Sequence, residues 1–188
     1  ELIKRSQLLI NVRSLGLALF LLYERLNPKS FWRPYLDVLP TCLNLPIFCS
    51  LDDLEALRGS PTHLKALHQY RTTVSHYLDM VALVKKHERS ARLPLFSFQA
   101  FRWAVATVMA RQNAVPQEDL TVNMAGQPVM TMALIPGFDM LNHRHLDGAI
   151  TTEYDVELSA SVTHVPAPVR AGEQVYVHYG QRPNSLLF

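Results

Sequence analysis

The chain has 188 residues, of which 48% are hydrophobic and 18% are charged, and its formal net charge is +2. This length and composition predict one globular domain with a sizeable core. The mild charge, without a dense stripe of lysine and arginine, argues against a nucleic-acid-binding protein. Two cysteines do not make a disulfide scaffold and favour a reducing compartment, so we expect a protein of the cytoplasm, with the nucleus as a second location.

Helices are predicted in the first two-thirds of the chain. Apolar residues at three- and four-residue steps predict a helix over residues 2–26, which Asn27-Pro28 ends. Its apolar run is too short to span a bilayer and lacks a small-residue cleavage site, so we expect neither a membrane segment nor a signal peptide. A proline-rich loop with a short helical piece follows. Further helices are predicted over residues 51–57, 62–88 and 97–112.

Short strands are predicted in the last third. Pro116, Gly126 and Pro128 mark a loop after the last helix, and residues 129–135 form an apolar run typical of a strand. Residues 150–156 and 159–165 are predicted to pair around a turn near Glu157. Residues 174–179 alternate between two faces, which predicts another strand. Helices followed by short strands make the predicted fold α+β.

Several enzyme classes lack their motifs in this sequence. No G-x-G-x-x-G or Walker motif occurs, so a dinucleotide-binding or P-loop protein would lack its phosphate-binding loop. No G-x-S-x-G elbow occurs, which argues against a serine hydrolase. His143, His145, His164 and His178 give only a weak metal signal, because no nearby carboxylate or cysteine pair accompanies them, and we predict no metal site.

Polar residues at the ends of apolar segments form the remaining candidate site. Taken singly, asparagine and aspartate favour turns, and a Tyr-Gly pair often ends a strand, so capping and turn roles stay open for each residue. Taken together, such residues can line a cleft. The set consists of Arg111, Gln112, Asn113, Asp139, Asn142, His143 and Tyr179.

Two pairs of neighbouring residues in this part of the chain resemble motifs of the SET-domain methyltransferases. They are Asn142-His143 and Tyr179-Gly180, and Gly172-Glu173-Gln174 is similar to the start of the family's strand before the tyrosine. In that family the two pairs are threaded together in a pseudoknot that forms the active site. Other segments throughout the chain resemble one branch of this family, which contains Rubisco large-subunit lysine methyltransferase and the actin-histidine methyltransferases. The segments most similar to the histidine enzymes are residues 30–35, 102–105, 111–113, 133–136 and 150–152.

The resemblance implies a partial SET domain. Residues 1–112 would form a mainly helical inserted subdomain, and residues 113–188 the C-terminal SET portion with the active-site motifs. The family's N-terminal SET strands and its C-terminal substrate-binding domain have no counterpart in these residues, so we expect both to be absent from the chain. Phe138 departs from the histidine branch, which has a tryptophan before the Asp-Met pair, and this leaves the acceptor specificity open.

The resemblance also implies S-adenosylmethionine as the methyl donor and assigns roles to individual residues. Tyr179 and Asn113 would be the catalytic residues. The cofactor-binding residues would be Arg111, Asp139, Asn142, His143 and Tyr179. The substrate-binding residues would be Asn113, Phe138 and Arg182.

The implied activity is methyl transfer to a protein histidine, with actin as the substrate of a monomer that binds neither nucleic acid nor membrane. The amide of Asn113 can hydrogen-bond one imidazole nitrogen and leave the other lone pair toward the methyl donor. A lysine acceptor would gain less from this amide, and it would first have to lose a proton whose reference pKa is about 10.4. Lysine methylation and a truncated, non-catalytic SET-like binding protein remain the alternatives.

Overall fold

The computed structural model describes residues 12–87, 96–117, 121–144, 152–155, 157–158, 160–165 and 167–179. The chain divides into two compact units at the junction of Ala110 and Arg111. The first unit is helical and the second contains the strands, in agreement with the predicted α+β class. The predicted division into two SET portions after residue 112 concerns subdomain identity and stays a prediction.

Five helices are described in the order in which the sequence predicts them. Residues 2–11 of the first predicted helix lie outside the described residues, as does Glu88 at the end of the fourth. None of the helices in the described part of the chain is both long and apolar enough to cross a membrane. The helices are α1 (Arg13–Arg25), α2 (Arg33–Val38), α3 (Leu51–Ala56), α4 (Pro61–His87) and α5 (Phe98–Arg111).

Local sequence explains where the short helices begin. Ser50 caps α3, because its hydroxyl accepts a hydrogen bond from the backbone N–H of Asp53, whose carboxylate accepts one from the backbone N–H of Ser50. The Asp53 carboxylate also accepts a hydrogen bond from the Ser50 hydroxyl at 2.7 Å, and this bond, followed by the one from the Ser50 backbone N–H, lowers the pKa of Asp53. Pro34 lies in the first turn of α2, where its missing N–H removes no helical hydrogen bond.

The core of the first unit lies along α1 and α5. The buried side chains of α1 include Leu15, Leu21 and Leu22, and Phe101 is fully buried in α5. Trp103 is 6% exposed and donates its Nε1–H to the carbonyl of Pro40 at 2.9 Å, as a buried indole requires. The core of the helical unit thus combines buried apolar side chains with an indole whose N–H has a hydrogen-bond partner.

Three two-stranded sheets make up the described part of the second unit. β1 pairs with β2 and β4 with β5 in antiparallel fashion, whereas β3 and β6 are parallel. The antiparallel pairing of β4 with β5 follows the sequence prediction. The strands are β1 (Gln112–Pro116), β2 (Met130–Leu134), β3 (Asn142–His143), β4 (Thr152–Asp155), β5 (Ala160–Thr163) and β6 (Tyr176–Val177).

The start of the second unit corrects the sequence prediction. Gln112 was expected in a helix and residues 114–116 in a loop, but all of them belong to β1. Strand β1 pairs from Gln112 opposite Leu134 to Pro116 opposite Met130. The helix prediction extended one residue too far because a tertiary pairing partner decides the conformation here, and strand preference depends strongly on such context. Pro116 is compatible with β1 because it stands at the strand end.

Candidate active site

A parallel pair of very short strands organises the candidate site. Asn142 lies opposite Tyr176, and His143 lies opposite Val177. The pairing continues for one more hydrogen bond, which the backbone N–H of Arg144 donates to the carbonyl of Val177 at 3.1 Å. The two predicted motif segments are thus neighbours in space, as the resemblance implied.

Tyr179 is connected to β3 through both its backbone and its side chain. Its backbone N–H donates to Nδ1 of His143 at 3.1 Å, and its hydroxyl donates to the carbonyl of Leu141 at 2.6 Å. The rings of His143 and Tyr179 stack with centroids 5.1 Å apart and an angle of 28° between their planes. Tyr179 is therefore held by His143 of β3 and by Leu141, the residue directly before this strand.

The same contact determines the tautomer of His143. A backbone N–H can donate only to a ring nitrogen that carries no proton, so Nδ1 is the acceptor nitrogen. Neutral His143 then carries its proton on Nε2, which is a hydrogen-bond donor. His178 approaches the His143 ring from another side, with centroids 5.3 Å apart.

Arg111 and Asp139 form the second part of the site. Nη1 of Arg111 donates to the backbone carbonyl of Asp139 at 2.7 Å and lies 3.8 Å from the carboxylate oxygen Oδ2. The side chain of Asp139 is 0% exposed and that of Arg111 is 18% exposed. A buried carboxylate is costly without a positive partner, so Arg111 stabilises Asp139 by charge as well as by the hydrogen bond.

A glycine turn places Asp139 beside this arginine. Gly137 has φ of 89°, a backbone conformation that favours glycine, and the 3₁₀ helix Phe138–Met140 follows it. The backbone N–H of Asp139 donates back to the carbonyl of Ile135 at 3.0 Å. The sulfur of Met140 lies 3.3 Å from Nη1 of Arg111. The turn thus presents a carbonyl, a carboxylate and a thioether to one guanidinium.

Electrostatics connects the two parts of the site. Burial raises the pKa of the Tyr179 hydroxyl above its ordinary value of 10.0, Arg111 opposes this shift, and Asp139 adds to it. The phenol is therefore protonated at neutral pH and acts as a hydrogen-bond donor. Arg111, Asp139 and Tyr179 are consequently coupled electrostatically, and His143 joins them through its hydrogen bond with the backbone N–H of Tyr179.

The other predicted site residues are placed less centrally. Asn113 is half-buried in β1, and its Nδ2 donates to the carbonyl of Arg111 at 3.1 Å. Phe138 is half-buried at the start of the 3₁₀ helix, and Asn142 is exposed in β3. Arg182 and Gly180 lie outside the described residues. The described ranges contain no group of three metal-binding side chains.

Sequence reasoning missed the groups that act through the backbone or through sulfur. The carbonyl of Leu141 accepts the Tyr179 hydroxyl, and Met140 contacts Arg111. A carbonyl acceptor leaves no mark in a sequence, because every residue has one. For His178, its place directly before Tyr179 was the available signal, and it was considered only as a metal ligand.

Solved structures with the same fold identify the architecture. The SET domain of LSMT, bound to lysine and AdoHcy, superposes with a TM-score of 0.71 at 22% sequence identity, covering 98% of this chain and 42% of that one. The chain is a partial SET domain. Rubisco LSMT, bound to sinefungin and monomethyllysine, is also similar to this partial SET domain, with a TM-score of 0.64 and 25% identity over 98% of the chain and 41% of that protein.

Sequence relatives confirm the predicted resemblance to the histidine branch. This partial SET domain is 36% identical to the actin-histidine N-methyltransferase of Gallus gallus over 188 residues. It is 36% identical to the Homo sapiens protein of the same name over 187 residues. Each alignment covers 98% of this chain and 30% of the relative, so the chain spans about a third of the length of these proteins. No family model matches the sequence.

Proposed function

We propose that the protein with this partial SET domain is an S-adenosylmethionine-dependent protein-histidine N-methyltransferase. The main observation in its support is the hydrogen bond between the backbone N–H of Tyr179 and His143. This bond joins the two motif segments into one polar group next to Arg111 and Asp139. The 36% identity to actin-histidine N-methyltransferases over 98% of the chain supports the choice of reaction. AdoHcy and sinefungin in the similar SET structures support the choice of cofactor.

The residues of the site fit such a cofactor. Nε of Arg111 is buried and has no hydrogen-bond partner among the described residues, while Nη1 is engaged with Asp139. A guanidinium with unused donors suits the carboxylate of the cofactor's amino-acid portion. Exposed Asn142 and the Nε2–H donor of His143 would hold polar groups of the amino-acid and adenine portions.

The reaction asks for positioning more than for acid–base chemistry. When bound, the cofactor supplies an electrophilic methyl group on a sulfonium. Tyr179 keeps its phenolic proton and donates it to the carbonyl of Leu141, which holds the hydroxyl in place, so its oxygen can orient the acceptor by accepting a hydrogen bond. Asn113 would accept, through Oδ1, a hydrogen bond from the N–H of the acceptor imidazole and leave the lone pair of the other nitrogen in line with the methyl group. Such orientation can supply most of the rate enhancement of a displacement.

We further propose actin as the protein substrate, on the strength of the relatives' names. Our proposal includes a monomeric protein of the cytoplasm, with the nucleus as a second location, that acts without nucleic acid or membrane. Arg182, two residues after Gly180, is proposed to contact an acidic segment of the substrate. Asp139 is proposed to shape the cofactor pocket through its turn.

The test is a methylation assay of the full-length protein with labelled S-adenosylmethionine. Three peptides serve as substrates: an actin peptide with its histidine, and the same peptide with alanine or lysine in place of that histidine. The proposal predicts label on the histidine peptide only. Label on the alanine peptide would place the modification elsewhere and contradict the histidine assignment.

Lysine methylation is the second candidate. Phe138 favours it, because the histidine branch has a larger tryptophan at this place and a smaller ring leaves more room for an alkyl amine. The SET structures similar to this chain are bound to lysine or monomethyllysine. Label on the lysine peptide alone would establish this candidate, and no label on any of the peptides would favour a non-catalytic binding protein.

A further inference from the structure

The helical unit contains a cavity of about 470 Å³ that the methyl-transfer proposal does not use. The end of α1, the loop after α2, the 3₁₀ turn at residues 46–48 and the start of α5 surround it. This volume lies in the usual range of small-ligand sites. The lining residues that matter for its chemistry are Arg25, Cys42, Phe48, Arg102 and Trp103.

Two arginines in the cavity wall stack on aromatic rings. The guanidinium carbon of Arg25 lies 3.7 Å from the ring centroid of Trp103, and that of Arg102 lies 4.6 Å from the ring centroid of Phe48. Stacking covers one face of each planar guanidinium and leaves its N–H donors at the edge. Such an edge matches the two oxygens of a carboxylate in a bidentate pair.

The positive charge of this wall is not balanced locally. In the described part of the chain neither Arg25 nor Arg102 makes an ion pair, and Nε of Arg102 is buried without a hydrogen-bond partner. Burial and, to a smaller extent, the nearby Arg33 lower the pKa of Arg25, whose guanidinium stays charged at neutral pH. The carboxylate of Asp37 pairs with Arg33 at 2.9 Å. An anion in the cavity would therefore relieve a real electrostatic cost.

We propose that this cavity binds a carboxylate that is attached to an apolar body. The carboxylate would pair with the edges of Arg25 and Arg102, and the apolar body would lie against Phe48 and Trp103. The carboxylate can come from an acidic side chain next to an apolar residue in a protein partner, or from a free aromatic acid. The proposal goes beyond methyl transfer and does not depend on it.

Cys42 provides a direct test, because it is an exposed free thiol that lines the cavity, whereas Cys49 does not line it. The full-length protein is treated with iodoacetamide, and the alkylation rates of the two cysteines are followed by mass spectrometry. The probes are the blocked tripeptide Leu-Glu-Leu and benzoate, and their uncharged counterparts are blocked Leu-Gln-Leu and benzamide. We expect saturable protection of Cys42 by at least one acidic probe, with Cys49 unaffected.

The two acidic probes separate the sources of the carboxylate. Protection by the tripeptide alone indicates an acidic protein segment, and protection by benzoate indicates a free acid. Failure of both, or equal protection by the uncharged counterparts, overturns the proposal. This comparison uses the unaltered protein and does not depend on whether any variant folds.

Substitutions then test whether the guanidinium groups of Arg25 and Arg102 bind the carboxylate. Arg25→Met and Arg102→Met should each lower the affinity of the protein for the protecting probe by about tenfold, since a hydrogen bond from a charged group is lost. Arg71→Met is the matched control, because Arg71 is exposed on α4 and lies outside the cavity. Equal affinity in folded Arg25→Met, Arg102→Met and control proteins would overturn the assignment of the site.

Discussion

The backbone N–H of Tyr179 donates to Nδ1 of His143 across 36 residues of sequence, at 3.1 Å. The place of the Tyr179 ring thus depends on a side chain of another strand, and the stacked rings reinforce that dependence. His143 is consequently a positioning residue for Tyr179 in addition to its proposed contact with the cofactor. This relationship can be separated from cofactor binding by experiments on the protein without cofactor.

The His143 contact predicts a difference between two substitutions. His143→Leu removes the acceptor, so the amide of Tyr179 should exchange its hydrogen about tenfold faster, and the free energy of unfolding should fall by about 1 kcal/mol. His143→Asn supplies an oxygen close to the position of Nδ1 and should retain most of the protection. Hydrogen exchange and urea unfolding measure the two effects. Equal exchange rates in the wild-type and leucine proteins would show that the bond does not hold Tyr179.

Tyr179 predicts a stability change at alkaline pH. Its pKa is raised from 10.0 in the folded protein, mainly by burial. The folded state therefore favours the protonated phenol. That contribution to stability is present in full below pH 10.0 and is lost as the pH rises through the higher pKa of the folded protein. The Tyr179→Phe protein should show a smaller loss of unfolding free energy in this alkaline range.

The ultraviolet absorbance of tyrosinate checks the same prediction independently. The difference between the wild-type and Tyr179→Phe titrations isolates one phenol among the seven tyrosines of the chain. That phenol should titrate above 10.0. A titration at or below this value would contradict the raised pKa of Tyr179.

We predict that substitutions of Arg111 and Asp139 have non-additive effects on the free energy of unfolding. Arg111→Met leaves the buried Asp139 carboxylate without its neighbouring charge and should lower the free energy of unfolding by about 2–4 kcal/mol. Asp139→Asn in the same protein removes the buried negative charge and should restore part of that loss. Urea unfolding of the wild type, both single variants and the double variant gives the coupling energy. Strict additivity would mean that the two charges do not interact.

Asn113 predicts a selective loss of activity under the proposed function. Asn113→Ala should reduce methylation of the histidine peptide by at least about tenfold, because one oriented hydrogen bond to the acceptor is lost. Cofactor affinity should be unchanged, since no cofactor contact is proposed for this side chain. Asn44→Ala is the control, because Asn44 is exposed and belongs to the helical unit. Unchanged methylation by the Asn113→Ala protein would remove its assigned role.

The helices were the most predictable part of the fold. The spacing of apolar residues located α4 to within one residue of its described ends, and the predicted start of α3 at residue 51 agrees with the structure. These signals are local, because a helix and its cap are made by residues close in sequence. Strand β1 was missed for the opposite reason, since its conformation depends on β2, whose nearest residue is 14 positions further along the chain.

Four residues of the candidate site are neighbours in space, although their contacts were not predictable and their roles stay predictions. The family resemblance selected Arg111, Asp139, His143 and Tyr179, which the structure brings together. No sequence pattern indicated that His143 would hold the backbone of Tyr179, because a parallel pair of two-residue strands has no periodicity to detect. The arginines of the helical cavity were missed as well, because their stacking joins residues far apart in the sequence, such as Arg25 and Trp103.

Helix α5 ends at Arg111 and strand β1 begins at Gln112, with no residue between them. An inserted residue at this junction would move Asn113 by one position against Ala133 and turn its side chain to the opposite face of the sheet. The far end of the hairpin has a turn at residues 123–126, where added length would leave that register intact. Among natural homologues, gaps and insertions should therefore gather at the hairpin tip and avoid the Arg111–Gln112 peptide bond.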